Sequence, residues 1–182
     1  MPNRRHFLQQ LAAVSAAGMS GLSMSTQAAE ASGPDRTLHL YNIHTGETVK
    51  STFWSQGQFV DSEIEMIDML VRDFRANDVI AMDRQLYQDL YELQSRLSPN
   101  QPMYIISGYR SPQTNAKLRN GSSGVAKKSL HMQGRAIDIR IPDVSHKDLH
   151  RAALSLKSGG VGYYPNSGFV HLDTGRVRRW QG

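Results

Sequence analysis

Short stretches of the chain alternate apolar and polar residues, which is the period of a β-strand that buries one face. In the clearest stretch Ile137 and Ile139 flank Asp138, so the carboxylate lies on the face opposite the apolar core. A turn joins the first strand to a second that runs through Phe53, which predicts a hairpin. Strands are predicted at 37–42, 103–107, 136–141, 161–164 and 169–172, the last two forming another hairpin.

Other stretches repeat apolar residues every three or four positions, which is the period of a helix packed on a core. The two clearest stripes start at Ile64 and Leu86. Capping and helix-breaking residues predict the boundaries of four helices. The first begins at Asp61 or Ser62 and ends at Asn77, the second follows Asp83 and stops before Pro99, the third follows Ser111, and the fourth follows Ser145 and ends at Gly159.

The order of these elements predicts an α+β fold, because helices dominate the first half and a mostly antiparallel sheet the second. A chain of 182 residues suffices for one domain with a real core. We expect that domain at 37–182, after a linker at 30–36.

Residues 1–29 are predicted to be a targeting segment. Arg4 and Arg5 form a twin-arginine signature, followed by a weakly apolar run of Ala, Ser, Gly and Met and then by small residues suited to cleavage. The run is too short and too rich in Gly and Ser for a stable membrane span. We therefore expect export to the periplasm by the twin-arginine route, without membrane insertion once the signal is removed.

The composition narrows the possible chemistry. The chain contains no cysteine, which excludes disulfides and thiolate ligands, so any metal must be held by His, Asp or Glu. The formal charge of +5 falls to about +3 without the two N-terminal arginines. This modest excess of basic residues is suited to binding an anionic polymer, but it does not resemble the basic stripe of a nucleic-acid-binding protein.

Two strands and a bend bring three candidate metal ligands together. His131 precedes the strand that carries Asp138, and Gly134 supplies a bend that turns the imidazole back toward the carboxylate. His171 lies on the polar face of a later strand. Two neutral imidazoles and one carboxylate leave a fourth position for water, as in a catalytic zinc site. The residues therefore predict Zn²⁺ held by His131, Asp138 and His171.

The ligands lie within a spaced motif. Residues 129–138 read S-x-H-x-x-G-x-A-x-D, preceded by S-G-Y-R-S at 107–111 and followed by the late strand histidine. This pattern resembles the M15 group of zinc peptidases, which includes D-Ala-D-Ala carboxypeptidases and peptidoglycan endopeptidases and shares the hedgehog fold. The chain is most similar to the DUF882, or YcbK-like, branch, and the similarity spans about 38–180. It also rests on the stretches 41–47, 124–129 and 159–165.

Arg110 follows a strand and a glycine, from where its guanidinium can reach the open metal position. The planar guanidinium could donate two hydrogen bonds from this position to a substrate carboxylate or to the developing oxyanion. The resemblance implies the same role. A surface salt bridge is the alternative.

The candidate for the general base lies at a different position from that in the better-known M15 enzymes. Those enzymes place a Glu or His shortly before the last histidine ligand. Here those positions hold Gly168 and Phe169, which cannot accept a proton. Asp173 lies two residues after His171 on the same strand face. It is either the proton acceptor or a partner that orients a ligand imidazole.

Three further residues are expected near the substrate. Ser129 is predicted to orient His131 or close the loop rather than to attack. Of Tyr163 and Tyr164, we expect one to line the cleft and the other to belong to the core. His39, His44, His146 and His150 remain as alternative metal ligands. Of these, His146 and His150 lie four positions apart on a helix, but the glutamate of an H-E-x-x-H motif is missing between them, so we interpret them as exposed helix residues.

The resemblance implies a zinc-dependent murein endopeptidase that hydrolyses cross-links between stem peptides during wall growth, in particular the 3-3 links between two diaminopimelate residues. A stem-peptide carboxypeptidase and a zinc-containing wall-binding module without activity remain as alternatives, the latter favoured only by the missing upstream base. We expect a monomer whose partners are peptidoglycan stem peptides.

Overall fold

A computed structural model describes residues 33–121 and 124–182 of the chain. The predicted signal segment at 1–29 lies outside the described residues. Within the described ranges, no helix has the length and apolar character needed to cross a membrane.

The described chain forms eight strands, four α-helices and one short 3₁₀ helix. The strands are β1 (Arg36–Asn42), β2 (Thr48–Ser55), β3 (Gln58–Phe59), β4 (Met103–Ser107), β5 (Ala136–Arg140), β6 (Gly160–Tyr164), β7 (Phe169–Asp173) and β8 (Arg178–Gln181). The helices are α1 (Asp61–Leu70), α2 (Arg84–Leu97), α3 (Pro112–Gly121), α4 (His146–Leu156) and the 3₁₀ helix (Leu130–Gln133).

The strands form one sheet in the order β3-β2-β1-β4-β5-β7-β6-β8. Only the β1–β4 and β6–β8 pairs are parallel, and the other neighbours are antiparallel. The predicted α+β class with a mostly antiparallel sheet is therefore confirmed, as are both predicted hairpins, β1–β2 and β6–β7.

The hydrophobic core lies between one face of the sheet and α1, α2 and α4. Strand residues such as Leu40, Ile105, Ile139 and Val170 project to this side and are fully or almost fully buried. The intervening residues project to the opposite face. The alternation within β5 and β7 thus directs apolar side chains to the helices and leaves the polar ones on the other side.

Helix α1 ends earlier than the hydrophobic stripe predicts, at Leu70 instead of Asn77. The carbonyl oxygen of Leu70 accepts a hydrogen bond from Asn42 Nδ2 at 2.7 Å, and that of Val71 accepts one from the Tyr109 backbone N–H at 2.8 Å. Both carbonyls are therefore used by other parts of the chain, and the helix does not continue.

Two other helix boundaries, two strands and the burial of β5 also differ from the predictions. Helix α3 runs to Gly121, so the predicted loop at 120–124 begins later, and α4 ends at Leu156, three residues before Gly159. Strands β3 and β8 were not predicted, because β3 has only two residues and the sequence R-R-W-Q of β8 has no apolar alternation. Strand β5 is buried on both faces, since Asp138 and Ala136 are covered as well as the isoleucines.

A buried carboxylate positions the segment that supports the 3₁₀ helix. Asp68 of α1 accepts hydrogen bonds from the Tyr87 hydroxyl and from the Met82 backbone N–H. The next residue, Asp83, donates its backbone N–H to the Gly134 carbonyl at 2.8 Å. Burial raises the pKa of Asp68, so its two donors offset an unfavourable burial of charge.

Replacing Tyr87 with Phe removes one of these donors. We expect the free energy of unfolding to fall by about 1–3 kcal/mol, the cost of leaving a buried acceptor with too few partners. Urea unfolding followed by tryptophan fluorescence measures this. Tyr91→Phe, on the same helix and half-buried, is the matched control and should cost less than about 0.5 kcal/mol. Equal losses in the two variants would contradict the assigned role of the Tyr87 hydroxyl.

Candidate active site

The register between β5 and β7 places Asp138 directly opposite His171. Both residues lie at polar positions of their strands, so their side chains leave the sheet on the same side, away from the helices. The contact is direct, since His171 Nδ1 lies 2.8 Å from Asp138 Oδ1.

The third residue of the cluster, His131, is delivered by the 3₁₀ helix. Ser129 begins this helix by accepting the His131 backbone N–H on its hydroxyl at 3.3 Å. Gly134 ends it with φ of 66°, a left-handed conformation in which glycine is favoured. The bend predicted at Gly134 is therefore present, and His131 is 3% exposed.

His131, Asp138 and His171 each offer one ligand atom, and these atoms all lie within 4.8 Å of one another. His131 Nε2 is 3.3 Å from His171 Nδ1 and 3.4 Å from Asp138 Oδ2. Two imidazole nitrogens and one carboxylate oxygen that face one point match the donor set of an open zinc site. The structure thus brings together the three residues that the sequence predicts as metal ligands.

A hydrogen bond fixes which nitrogen of His131 faces the cluster. Nδ1–H donates to the Gly108 carbonyl at 2.7 Å, which leaves the lone pair of Nε2 toward Asp138 and His171. Gly108 is constrained by packing, because a Cβ atom there would lie 2.2 Å from the Val71 carbonyl oxygen. The imidazole is therefore oriented as metal-ligating histidines commonly are, through a backbone carbonyl.

His171 is oriented by a carboxylate. Its Nε2–H donates to Asp173 Oδ2 at 3.1 Å, so Nδ1 faces the cluster. Asp173 is held in turn by two hydrogen bonds from the Arg178 guanidinium, at 2.7 and 2.9 Å, and by the backbone N–H groups of Gly160 and Gly175. The Asp173 side chain is completely buried. These contacts favour the orienting role of Asp173 over that of a free proton acceptor.

The charged groups of the cluster shift the pKa values of its members. Burial raises the pKa of Asp138, but the two imidazoles outweigh it and hold that pKa far below its usual range. Burial lowers the pKa of His171, but hydrogen bonds to Asp138 and Asp173 outweigh it and raise that pKa to about 9. A cation at His171 Nδ1 would replace the proton there, so metal binding and deprotonation are coupled.

Arg110 lies beside the cluster in a buried position rather than in a surface salt bridge. Its side chain is 13% exposed, and Nη2 is 3.9 Å from Asp138 Oδ2 and 3.2 Å from the Ser107 hydroxyl. Burial lowers its pKa, and Asp138 partly offsets that effect. Within the described residues its Nε–H has no hydrogen-bond partner, which leaves a buried donor beside the ligands.

The cluster forms part of the wall of a cleft of about 500 Å³, a volume suited to a short peptide. Asp138 and Asp173 are the only carboxylates among the described residues that line it, and both are engaged by histidines. Cationic and aromatic side chains complete the wall, namely Arg110, Lys128, Arg178, Tyr164, Phe169 and Trp180.

The other predicted site residues are placed as follows. Ser129 and Tyr164 line the cleft, whereas Tyr163 projects to the opposite face, packs on the core and stacks on His150 with ring centroids 4.7 Å apart. The prediction that His146 and His150 are exposed was wrong, since both are half-buried. Neither belongs to the metal-ligand cluster, and the same holds for His39 and His44.

Two site residues, Arg178 and Trp180, were not predicted. They are two positions apart on β8 and project to the face that carries the cluster. Their period-two spacing was the one available signal, and with only four residues it is too short to indicate a strand.

A mixed sheet that carries a His-Asp-His cluster, able to hold a metal ion, at a peptide-sized cleft is consistent with a hydrolase of the M15 peptidase class. A family model described as peptidoglycan L,D-endopeptidase MepK matches residues 30–180, and the chain belongs to this M15 peptidase family. The predicted family and enzyme class are thereby confirmed.

Named relatives agree with the family match. The chain is 46% identical over 145 residues to peptidoglycan L,D-endopeptidase MepK of Escherichia coli strain K12, which covers 80% of each chain, and equally similar to that of Shigella flexneri. It is 44% identical over 168 residues to the probable peptidoglycan L,D-endopeptidase MepK of Haemophilus influenzae, covering 92% of this chain and 90% of the relative. A search of solved structures gave no significant match.

Arg178→Gln tests the support of the metal site. We expect affinity for Zn²⁺, measured by competition with a chromogenic chelator, to fall by about 10–100-fold, because Asp173 loses two donors and holds His171 less firmly. The matched control is Arg179→Gln, since Arg179 is exposed on the same strand. Unchanged affinity in Arg178→Gln, with an intact fold by circular dichroism, would refute the supporting role.

Proposed function

We propose that the chain is a zinc-dependent endopeptidase that hydrolyses cross-links between the stem peptides of peptidoglycan. The observation that carries this proposal is the convergence of His131, Asp138 and His171 at a peptide-sized cleft. The family description and the names of the relatives support the endopeptidase activity.

His131 Nε2, Asp138 and His171 Nδ1 would hold the metal ion. When bound, the ion supplies Lewis-acid activation of the scissile carbonyl and lowers the pKa of a water molecule. Arg110 lies beside the ligands with a positive charge, and its Nε–H has no hydrogen-bond partner in the part of the chain that the structure describes. In this position it binds a substrate carboxylate or stabilises the charge that develops on the carbonyl oxygen.

Among the described residues of the cleft, no free carboxylate is present that could accept the proton of the attacking water. Hydrogen bonds from His171 and Arg178 outweigh the effect of burial and hold the pKa of Asp173 far below its usual range, so it stays ionised and bonded. We infer that Asp173 orients His171, and that the proton passes to the substrate or to solvent.

The charge of the cleft favours an anionic peptide. Lys128 lines the cleft and has no ion-pair partner among the described residues, and Arg110 adds a second cation. Stem peptides carry several carboxylates. In a 3-3 cross-link the bond between two diaminopimelate residues joins an L centre to a D centre, which agrees with the L,D specificity in the relatives' names. We therefore propose the 3-3 link as the substrate.

Export to the periplasm is part of the proposal, because peptidoglycan lies outside the cytoplasmic membrane. The support is the twin-arginine signature at Arg4 and Arg5 with the small residues that follow it.

Digestion of purified sacculi tests the activity. With Zn²⁺ bound, the mature protein is expected to deplete 3-3 cross-linked muropeptide dimers and to release monomers, resolved by mass spectrometry. His131→Ala removes one of three ligands and should abolish turnover, and a chelator should do the same to the wild type. His146→Ala is the control, because His146 lies outside the ligand cluster.

The same digestion separates the alternatives. Shortening of monomeric stem peptides with dimers intact would identify a carboxypeptidase. Zn²⁺ binding and sedimentation with sacculi, without any change in muropeptides, would identify a binding module.

Replacing Arg4 and Arg5 with Lys tests the export route. Since the twin-arginine receptor reads the arginine pair, we expect the precursor to accumulate in the cytoplasm at unchanged total expression, as measured by fractionation and immunoblotting. Normal periplasmic levels of the double variant would count against this route. Arg36→Lys, beyond the predicted cleavage site, is the control.

A further inference from the structure

The Tyr164 ring stands on the wall of the cleft in a fixed position. It follows Gly160 and Gly162 at every second position of β6, on the same face as His171 of the neighbouring strand. The Phe169 ring stacks against it with centroids 4.5 Å apart and an interplanar angle of 17°. Tyr164 therefore lies beside the metal-ligand cluster with little freedom to rotate.

A hydrogen bond from strand β8 orients the hydroxyl group of Tyr164. Trp180 Nε1–H donates to Tyr164 Oη at 2.8 Å. Trp180 pairs opposite Gly162, and a Cβ atom at Gly162 would lie 2.6 Å from the indole ring, so the glycine provides the space for it. The Arg178 guanidinium lies over the same ring at 4.9 Å. The indole is thus held on two sides.

The direction of this hydrogen bond is fixed by chemistry. Indole N–H is only a donor, so the Tyr164 oxygen must accept, and the phenolic hydrogen remains available for a second bond. Within the described residues no protein group accepts that hydrogen. Tyr164 lines the same cleft as Arg110 and His131. The hydroxyl hydrogen can therefore be donated to water in the free cleft or to a ligand that displaces it.

We propose that Tyr164 donates a hydrogen bond to the carbonyl oxygen of the scissile peptide and that Trp180 positions it. This inference rests on the proposed endopeptidase function. As water adds to the carbonyl carbon, the C=O electron pair moves to the oxygen, and the hydrogen bond from Tyr164 strengthens. When the C–N bond breaks, the pair returns and the amine leaves with a proton derived from the water. Tyr164 keeps its own proton throughout.

Steady-state kinetics on a purified 3-3 cross-linked dimer test the proposal. Tyr164→Phe is expected to lower kcat by about 100-fold with KM unchanged, as for the loss of one oxyanion donor. Trp180→Phe, which removes the indole N–H together with part of the ring, is expected to lower kcat by about 10-fold. The double variant should resemble Tyr164→Phe alone, because Trp180 acts through the Tyr164 hydroxyl.

A binding measurement provides a second readout. The dissociation constant of a phosphinate analogue of the stem peptide, whose tetrahedral oxygen mimics the oxyanion, is expected to rise in Tyr164→Phe by a factor similar to the loss in kcat. Zn²⁺ content and thermal unfolding should not change. The matched controls are Tyr163→Phe, on the core side of β6, and Trp54→Phe, on distant β2; both should keep wild-type kcat.

Several results would overturn the proposal. A wild-type kcat in Tyr164→Phe, or a rise in KM alone, would show that the hydroxyl plays no part in the transition state. Equal losses from Trp180→Phe in the wild-type and Tyr164→Phe backgrounds would show that Trp180 does not act through Tyr164. Zn²⁺-loaded wild type that cleaves no dimer would refute the proposed function itself, and this inference with it.

Discussion

The site depends on the hydrogen-bonded register between β5 and β7. This register places Asp138 opposite His171, and a slip of one residue would turn one of the two side chains toward the helices. Burial of Ile137, Ile139, Val170 and Leu172 in the hydrophobic core opposes such a slip, because a slip would expose an apolar face. The core thus determines the geometry of two metal-ligand candidates.

Orientation of the imidazoles comes from one group distant in sequence and one nearby. The Gly108 carbonyl selects the nitrogen that His131 presents, and Asp173 does the same for His171. A completely buried carboxylate needs several donors to offset desolvation, and Asp173 obtains them from Arg178 and from two backbone N–H groups. The C-terminal strand is therefore part of the site and not only an edge of the sheet.

The distribution of charge suits the proposed chemistry. The carboxylates in the wall of the cleft are committed to histidines, while Arg110 and Lys128 remain as cations toward a ligand. In the proposed mechanism an anionic stem peptide is attracted to such a cleft, and charge that develops on its carbonyl oxygen would be stabilised by the metal ion, by Arg110 and by the phenol of Tyr164. The two side chains are already held in place by the protein, which is the condition for electrostatic catalysis.

Local patterns in the sequence were sufficient for six of the eight strands of the described chain, the capped helices and the candidate ligands His131, Asp138 and His171. Strand period, capping chemistry and ligand type are properties of neighbouring residues. The same patterns did not predict the early end of α1, which depends on contacts from Asn42 and Tyr109, or the strand β8 with Trp180. The sequence also left the role of Asp173 open, and its contacts with His171 and Arg178 favour the orienting role. The early end of α1 and the strand β8 depend on partners elsewhere in the chain, and such partners leave no periodic signal in the sequence.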